Sequence, residues 1–299
     1  MPELPEVETI VRGLNNRALK ILSARFLDVW TDFKKIIKKP KNFGQFKKLL
    51  KGKKIERITR RGKNIILDLS GGLSLLIHQK LTGHLLFGKW QLVGGKWRPL
   101  KRGPLEDPMN RFLHLIFWLD NGHQLALSDL RKFAKVELWK TNELEKDEGL
   151  KKLGPDPLGK SFIFEDFKKA LRGTQGKPRK GKIKQVLMDQ NVIAGIGNIY
   201  SDEILWASKI NPLKGVSELS TAKLKKIYFQ TQDILKKAIR MRGTSVSDFR
   251  DVEGRKGFFE KTLKVYRKKG KKCPRCSTPI KRIKIGGRSA HFCPKCQKV

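Results

Sequence analysis

All four cysteines of this 299-residue chain fall in its last 27 residues, as Cys273-Pro-Arg-Cys276 and Cys293-Pro-Lys-Cys296. No other feature restricts the fold so strongly. Scattered cysteines would suggest disulfides in a secreted protein. Two Cys-x-x-Cys knuckles sixteen residues apart instead suit one tetrahedral zinc. Cys273, Cys276, Cys293 and Cys296 would supply all four ligands, so the expected cofactor is one zinc ion, structural rather than catalytic. The competing reading is two redox Cys-x-x-Cys pairs, which would not need this spacing. Between the knuckles, Ile280–Ile285 and Ser289–Phe292 can pair as a hairpin around Gly286-Gly287. Arg288 then sits at a metal-held tip, where it can clamp a phosphate or remain an ordinary solvated charge.

The charge is lopsided. Lys and Arg number 67 against 28 Asp and Glu, a formal net +39. An excess this large argues for a polyanionic partner. The final 45 residues are the densest region, with 16 Lys and Arg and one acid, Glu260. Membrane surface is the other available polyanion, but no stretch is long and apolar enough to span a bilayer. The N-terminus carries glutamates and prolines where a signal peptide would have a basic and then an apolar run, so the cytoplasm is the expected compartment. Hydrophobic residues make up 38% of the chain, enough for a real core, and the length favours two domains.

The first helix is expected after Pro5, where Val7, Ile10, Val11 and Leu14 follow helical spacing. Residues 20–140 read as mostly strands: Ile55–Arg60, Asn64–Leu69, Leu73–His78, Phe112–Leu119, Gln124–Leu127 and Val136–Trp139. Many short strands at this spacing suggest a β-sandwich or barrel. The Gly-, Pro- and Lys-rich stretch Phe87–Asn110 reads as a long surface loop. Beyond the turn-forming Gly154–Gly159 the period becomes helical, over Phe164–Leu171, Ile183–Gln190, Asn198–Ala207 and Thr221–Met241, with Ser220 as an N-cap. Thr244–Gly257 looks like a loop with Gly254 and Gly257 as hinges.

Two short segments carry chemistry. Removal of Met1 would leave Pro2 as the N-terminus, a secondary amine that is partly unprotonated at neutral pH. Such an amine can attack an electrophilic carbon and form an iminium. Glu3 is bonded to it and can serve as general acid or base. The plainer reading is a proline and a glutamate in a helix's first turn. In Gly195-Ile-Gly-Asn198, backbone N–H groups and the Asn amide at a helix start can take a phosphate. A helix–helix turn capped by Asn198 is the alternative.

Several separated pieces then agree in order: Pro2-Glu-Leu-Pro-Glu-Val-Glu-Thr9, Arg61-Gly-Lys63, Asp129-Leu-Arg-Lys-Phe133, Asp189-Gln190 with Gly195–Tyr200, Leu263–Tyr266 and the four cysteines. The chain resembles the bacterial formamidopyrimidine-DNA glycosylase family from Pro2 to Lys298. The resemblance implies a multidomain α+β protein: an N-terminal β-sandwich, a helix–two-turn–helix domain and a C-terminal four-cysteine zinc finger, with DNA in the cleft between domains. In this chain that gives a catalytic domain over 2–140, a linker over 141–160, a helical domain over 161–243, a lesion-capping region over 244–262 and the finger over 263–299. It implies a flipped, oxidised purine in duplex DNA. Pro2 would attack the sugar C1′, Glu3 would protonate the ring oxygen, and β- and δ-elimination would follow. Glu6 would support the site; Lys63 and Arg288 would donate protons in elimination and contact the lesion or its phosphate. His78, Asn198 and Tyr266 would hold the backbone, and Leu81, Arg131 and Phe133 would fill the gap left by the flipped base.

Two positions depart from the family pattern. Leu81 stands where Met is usual, and Ala134 stands where Gly usually follows the wedge Phe, which would stiffen or reshape that loop. A same-fold glycosylase for oxidised pyrimidines and a non-catalytic nucleic-acid-binding zinc protein are the alternatives. A monomer is expected, because one chain supplies nucleophile, wedge and clamps.

Overall fold

The computed structural model describes residues 1–172 and 179–298, so the 173–178 part of the expected helical domain lies outside the described residues. The chain divides into two compact units. Met1–Lys151 with Met241–Glu260 forms one, and Lys152–Arg240 with Lys261–Val299 the other. No helix among the described residues is long and apolar enough to cross a membrane.

In the first unit, α1 (Leu4–Leu14) carries a proline in its first turn, where the missing N–H costs nothing. Its stripe of Val7, Ile10 and Leu14 is fully buried. The strands are β1 (Phe26–Thr31), β2 (Ile37–Lys39), β3 (Ile55–Arg61), β4 (Asn64–Leu69), β5 (Leu73–His78), β6 (His84–Gly88), β7 (Trp90–Val93), β8 (Lys96–Pro99), β9 (Leu113–Leu119), β10 (Gln124–Ser128) and β11 (Lys135–Lys140). Helix α2 (Phe43–Leu50) follows β2 and starts at Asn42, whose side chain accepts the Gln45 N–H at 2.9 Å. A short α3 (Glu148–Lys151) closes this part of the chain.

Two sheets form, with orders β1-β9-β10-β6 and β2-β11-β5-β4-β3. Alternation along each strand sends one set of side chains inward. Leu115, Phe117 and Leu125 of one sheet share a single core with Ile65, Leu75, Ile77 and Val136 of the other, and α1 adds Val7, Ile10 and Leu14. This is a sandwich with a helix built into its core.

The stretch Phe87–Asn110 is not one loop. It contains the β7–β8 hairpin and two short 3₁₀ turns. The turn between the strands is Gly94-Gly95, at φ +55° and +72°, values suited to a tight hairpin. Trp97 packs edge-on against Trp30 at 5.2 Å and Trp118 at 5.9 Å on the outer face of the four-stranded sheet. Because the hairpin covers that face, Leu86 is buried outward while Leu85 and Phe87 are buried inward. Strand β6 therefore lacks the apolar–polar alternation that would announce it.

In the second unit the helices are α4 (Phe164–Arg172), α5 (Ile183–Met188), α6 (Asn198–Ala207) and α7 (Thr221–Arg240). Helix α5 stops short of Gln190, whose side chain turns back to the Met188 and Ile196 carbonyls at 2.8 and 2.7 Å. Ser220 accepts the Lys223 N–H at 3.4 Å ahead of α7. Strands β12 (Lys281–Ile285) and β13 (Arg288–Phe292) pair about Gly286-Gly287, at φ +53° and +77°.

One core position is frustrated. Gln79 continues the inward alternation of Leu75 and Ile77, is 1% exposed, and neither of its amide atoms has a hydrogen-bond partner among the described residues. An unpaired buried amide costs about 1–3 kcal/mol. Gln79→Leu is therefore expected to raise the melting temperature by a few degrees. Equal or lower melting by calorimetry would show that the amide is satisfied.

Candidate active site and metal centre

Pro2 is buried at the head of α1, and Glu3, Glu6 and Lys63 are buried near it in sequence or in the fold. Glu6 organises the group. One carboxylate oxygen accepts the Glu3 N–H at 2.9 Å, and the other accepts the Thr244 N–H at 2.8 Å. Gly243 makes that approach possible. It has φ +73°, and a Cβ there would lie 2.8 Å from a Glu6 oxygen. The backbone amine of Met1 is pushed below its usual value, chiefly by burial; Glu3, Glu6 and Asp248 oppose the shift and Lys63 adds to it.

Lys63 follows Gly62 (φ +57°) in the β3–β4 turn. Arg60 braces the turn, donating to the Gly62 carbonyl at 3.1 Å and to Glu8 at 2.9 Å. Burial would raise the Glu8 carboxyl, but hydrogen bonds from Arg12 and Arg60 outweigh it and hold it below its ordinary value. Glu8 thus fastens α1 to β3, the strand that leads into the lysine's turn. Neither Glu8 nor Arg60 was singled out in the sequence, since an ion pair across 52 positions leaves no local signal.

His78 ends β5. Its Nδ1 accepts the Lys80 N–H at 2.9 Å, which leaves the proton on Nε2. Burial, then the nearby Lys80, Lys63 and Lys135, pushes its pKa down to about 3. The imidazole is therefore neutral at physiological pH and offers one fixed donor. Leu81 is half-buried, while Arg131 and Phe133 are exposed, with the guanidinium 4.6 Å from the Phe133 ring centre. Ala134 does not have positive φ and is 2% exposed in the core, so this position does not require glycine.

The segment after Thr244 is tied at its base. Ser245 Oγ donates to the Phe249 carbonyl at 2.7 Å and accepts the Gly257 N–H at 2.9 Å. Arg250 pairs with Asp107 at 2.8 Å, and Asn110 reaches the Gly254 carbonyl at 3.2 Å. A Cβ on Gly257 would lie 2.3 Å from two backbone carbonyl oxygens. Gly254 and Gly257 are thus close-packing points rather than hinges, and residues 104–111 buttress the segment.

The second unit holds the other candidates. Asn198 is the first residue of α6; Gly197 is its cap, so Asn198 is not. Its Oδ1 is buried without a partner among the described residues. Gln190 shapes the approach, accepting the Gly195 N–H at 2.9 Å. Tyr266 is half-buried, and its N–H donates to Glu203 at 2.9 Å. The same carboxylate takes the Lys264 and Val265 N–H groups at 2.8 and 2.9 Å. Beside it on α6, Asp202 pairs with Lys184 and accepts both the backbone N–H and Nδ1 of His291 at 2.9 Å. Two adjacent acids of one helix therefore hold the turn before the finger and the finger's own strand. Arg288 is exposed at the hairpin tip.

The four cysteine sulfurs lie within 4.8 Å of one another. Sγ separations are 3.4 Å for Cys276–Cys293 and for Cys276–Cys296, and 3.9 Å for Cys273–Cys296. A tetrahedral zinc with bonds of about 2.3 Å needs sulfurs about 3.8 Å apart. The donor set fits.

Three family models match the chain. They are the formamidopyrimidine-DNA glycosylase N-terminal domain over 1–136, the H2TH domain of the same glycosylase over 153–250, and the zinc finger found in FPG and IleRS over 270–299. The formamidopyrimidine-DNA glycosylase of Pelotomaculum thermopropionicum is 40% identical, with both chains covered in full. Two solved structures of the Lactococcus lactis enzyme, each 33% identical and fully covered, superpose well. One is a mutant with Fapy-dG-containing DNA at a TM-score of 0.83; the other is the wild type with DNA containing an oxidised pyrimidine, at 0.82. The chain belongs to the formamidopyrimidine-DNA glycosylase family, and Cys273, Cys276, Cys293 and Cys296 hold one structural zinc.

Elemental analysis should find one zinc per chain. Cys293→Ser or chelation should release it and expose residues 263–298 to protease. A zinc-free chain whose finger resists cleavage would contradict the structural role. His78 also predicts a pH effect. Between its unfolded value near 6.5 and about 3, the unfolded chain binds a proton that the native imidazole refuses, so stability falls as pH drops through that window. His78→Gln should shed less stability than wild type between pH 7 and 4 in urea titrations. Parallel pH profiles would show that His78 protonates freely in the fold.

Proposed function

We propose that this chain is a bifunctional base-excision repair enzyme. It removes oxidised purines, 8-oxoguanine and formamidopyrimidines, from duplex DNA and then cleaves the abasic site. The observation that carries the reading is the buried Pro2 next to the chain's start. Pro2 heads α1 beside Glu3 and Glu6, and burial depresses the terminal amine there. With Met1 removed, the same buried setting disfavours a charged Pro2 nitrogen and favours its nucleophilic form. Its lone pair forms the N–C1′ bond as the C1′–base bond breaks; the nitrogen gives up its N–H proton, which balances the one taken up by the departing base. Glu3 delivers a proton to the ring oxygen, the sugar opens, and an iminium joins protein and DNA. Successive β- and δ-elimination then release both phosphates.

The remaining roles follow from chemistry and place in the fold. Lys63, on its braced turn, donates a proton during elimination and contacts the lesion. Arg288 at the zinc-held tip does the same for the flanking phosphate. Neutral His78 presents its Nε2–H, and Asn198 and Tyr266 add further backbone contacts. Leu81, Arg131 and Phe133 fill the space left by the flipped base, and residues 244–262 cap the lesion. The enzyme acts as a monomer in the bacterial cytoplasm, at the nucleoid. Oxidised pyrimidines form a second substrate class, favoured by the L. lactis complex with such DNA.

Borohydride trapping tests this directly. Protein whose mass shows Met1 absent should give a reduced covalent band with an 8-oxoguanine·cytosine duplex, and Pro2→Gly should give none. A band with thymine glycol but not with 8-oxoguanine would reverse the substrate order. A Pro2→Gly protein that still traps would remove Pro2 as nucleophile.

A further inference from the structure

The gap-filling side chains come from two different turns. Gln79–Gly83 carries Leu81, and Asp129–Ala134 carries Arg131 and Phe133. Each turn is tight in its own right. In the first, the Gly83 N–H donates to the Gln79 carbonyl at 3.1 Å, with Lys80 at φ +55°. A Cβ on Gly83 would lie 2.5 Å from the Gln79 oxygen. In the second, the Lys132 N–H donates to the Asp129 carbonyl at 3.1 Å, with Lys132 at φ +56°.

The Asp129 side chain joins the two. It is 0% exposed and has no ion-pair partner among the described residues. One oxygen accepts the Ala134 N–H at 2.7 Å. The other accepts the Thr82 hydroxyl and, at 3.3 Å, the Arg131 N–H. Thr82 Oγ1 in turn accepts the Arg131 N–H at 3.1 Å. The hydroxyl of one turn is thus both donor and acceptor to the other. A buried carboxylate without a cation is held only by its hydrogen bonds, so its donors are fixed tightly in place. By contrast, the outer tether of this turn, Lys132 to Asp32 at 3.8 Å, is exposed and contributes little.

We propose that Asp129, through Thr82, is a positioning residue that makes Leu81, Arg131 and Phe133 enter the DNA as one rigid wedge. The proposal rests on the reading that these three side chains fill the gap. The ordering of both turns is complete before DNA arrives, so insertion does not have to order them separately. Asn at 129 cannot reproduce the clamp: it keeps one accepting oxygen and turns an NH₂ toward a backbone N–H. Val at 82 matches Thr in shape and loses the hydroxyl, while Ser keeps it.

The experiment is stopped-flow fluorescence with 2-aminopurine beside an 8-oxoguanine·cytosine pair, run with the full-length zinc protein. Thr82→Val and Asp129→Asn should slow the insertion phase about tenfold, the scale of one buried hydrogen bond left unmade. Thr82→Ser should restore it. Single-turnover cleavage of a preformed abasic site by Thr82→Val should stay within about twofold of wild type. An unchanged insertion phase in Thr82→Val, with melting lowered, would reduce the clamp to a structural contact. Leu81→Ala and Phe133→Ala serve as reference. If they too leave the phase unchanged, the gap-filling reading itself fails; if they slow it and Thr82→Val does not, only the clamp is overturned.

Discussion

The carboxylate of Glu6 joins the two ends of the first unit. It binds the start of α1 with one oxygen and Thr244, 238 residues later, with the other. Without that bridge the start of α1 would be a frayed chain end. With it, Pro2 and Glu3 stay buried side by side at the head of α1. The close approach depends on Gly243, since any side chain there would occupy the space of the carboxylate.

The same device recurs through a chain with net charge +39. Acids are scarce, and several of them are buried: Glu3, Glu6, Asp129, Asp202, Glu203 and Asp251. Each of the last five accepts backbone N–H groups from segments that side-chain burial alone would leave loose. A buried carboxylate must be surrounded by donors, so it defines local backbone geometry more strictly than an apolar contact does. The cations meanwhile stay mostly at the surface, where they can meet phosphate. Among the described residues Lys63, Lys184 and Arg250 are the buried exceptions; Lys184 is paired with Asp202 and Arg250 with Asp107.

Legibility differed by element for physical reasons. Strands with one wet face, such as β3, and the amphipathic α1 and α7 follow their periodicities. Strand β6 does not, because its outer face is covered by the β7–β8 hairpin. That hairpin in turn hides behind Gly, Pro and Lys, since most of its residues are exposed and only Trp90 and Trp97 anchor it. The cysteines were readable as zinc ligands, and the N-terminal block as a candidate site, because their chemistry is local in sequence. Glu8–Arg60, Asp129–Thr82 and Asp202–His291 were not, because each joins positions far apart in the chain.

The sequence by itself determined the family and the zinc ligands, because four thiols in two knuckles carry their chemistry in adjacent residues, and it marked the proline behind Met1 as the candidate amine. Only the tertiary structure decided which buried acids bind distant backbone, which tautomer His78 adopts and how the Gln79–Gly83 and Asp129–Ala134 turns are joined. Those properties depend on desolvation and on partners brought from distant segments, and neither exists until the chain has folded.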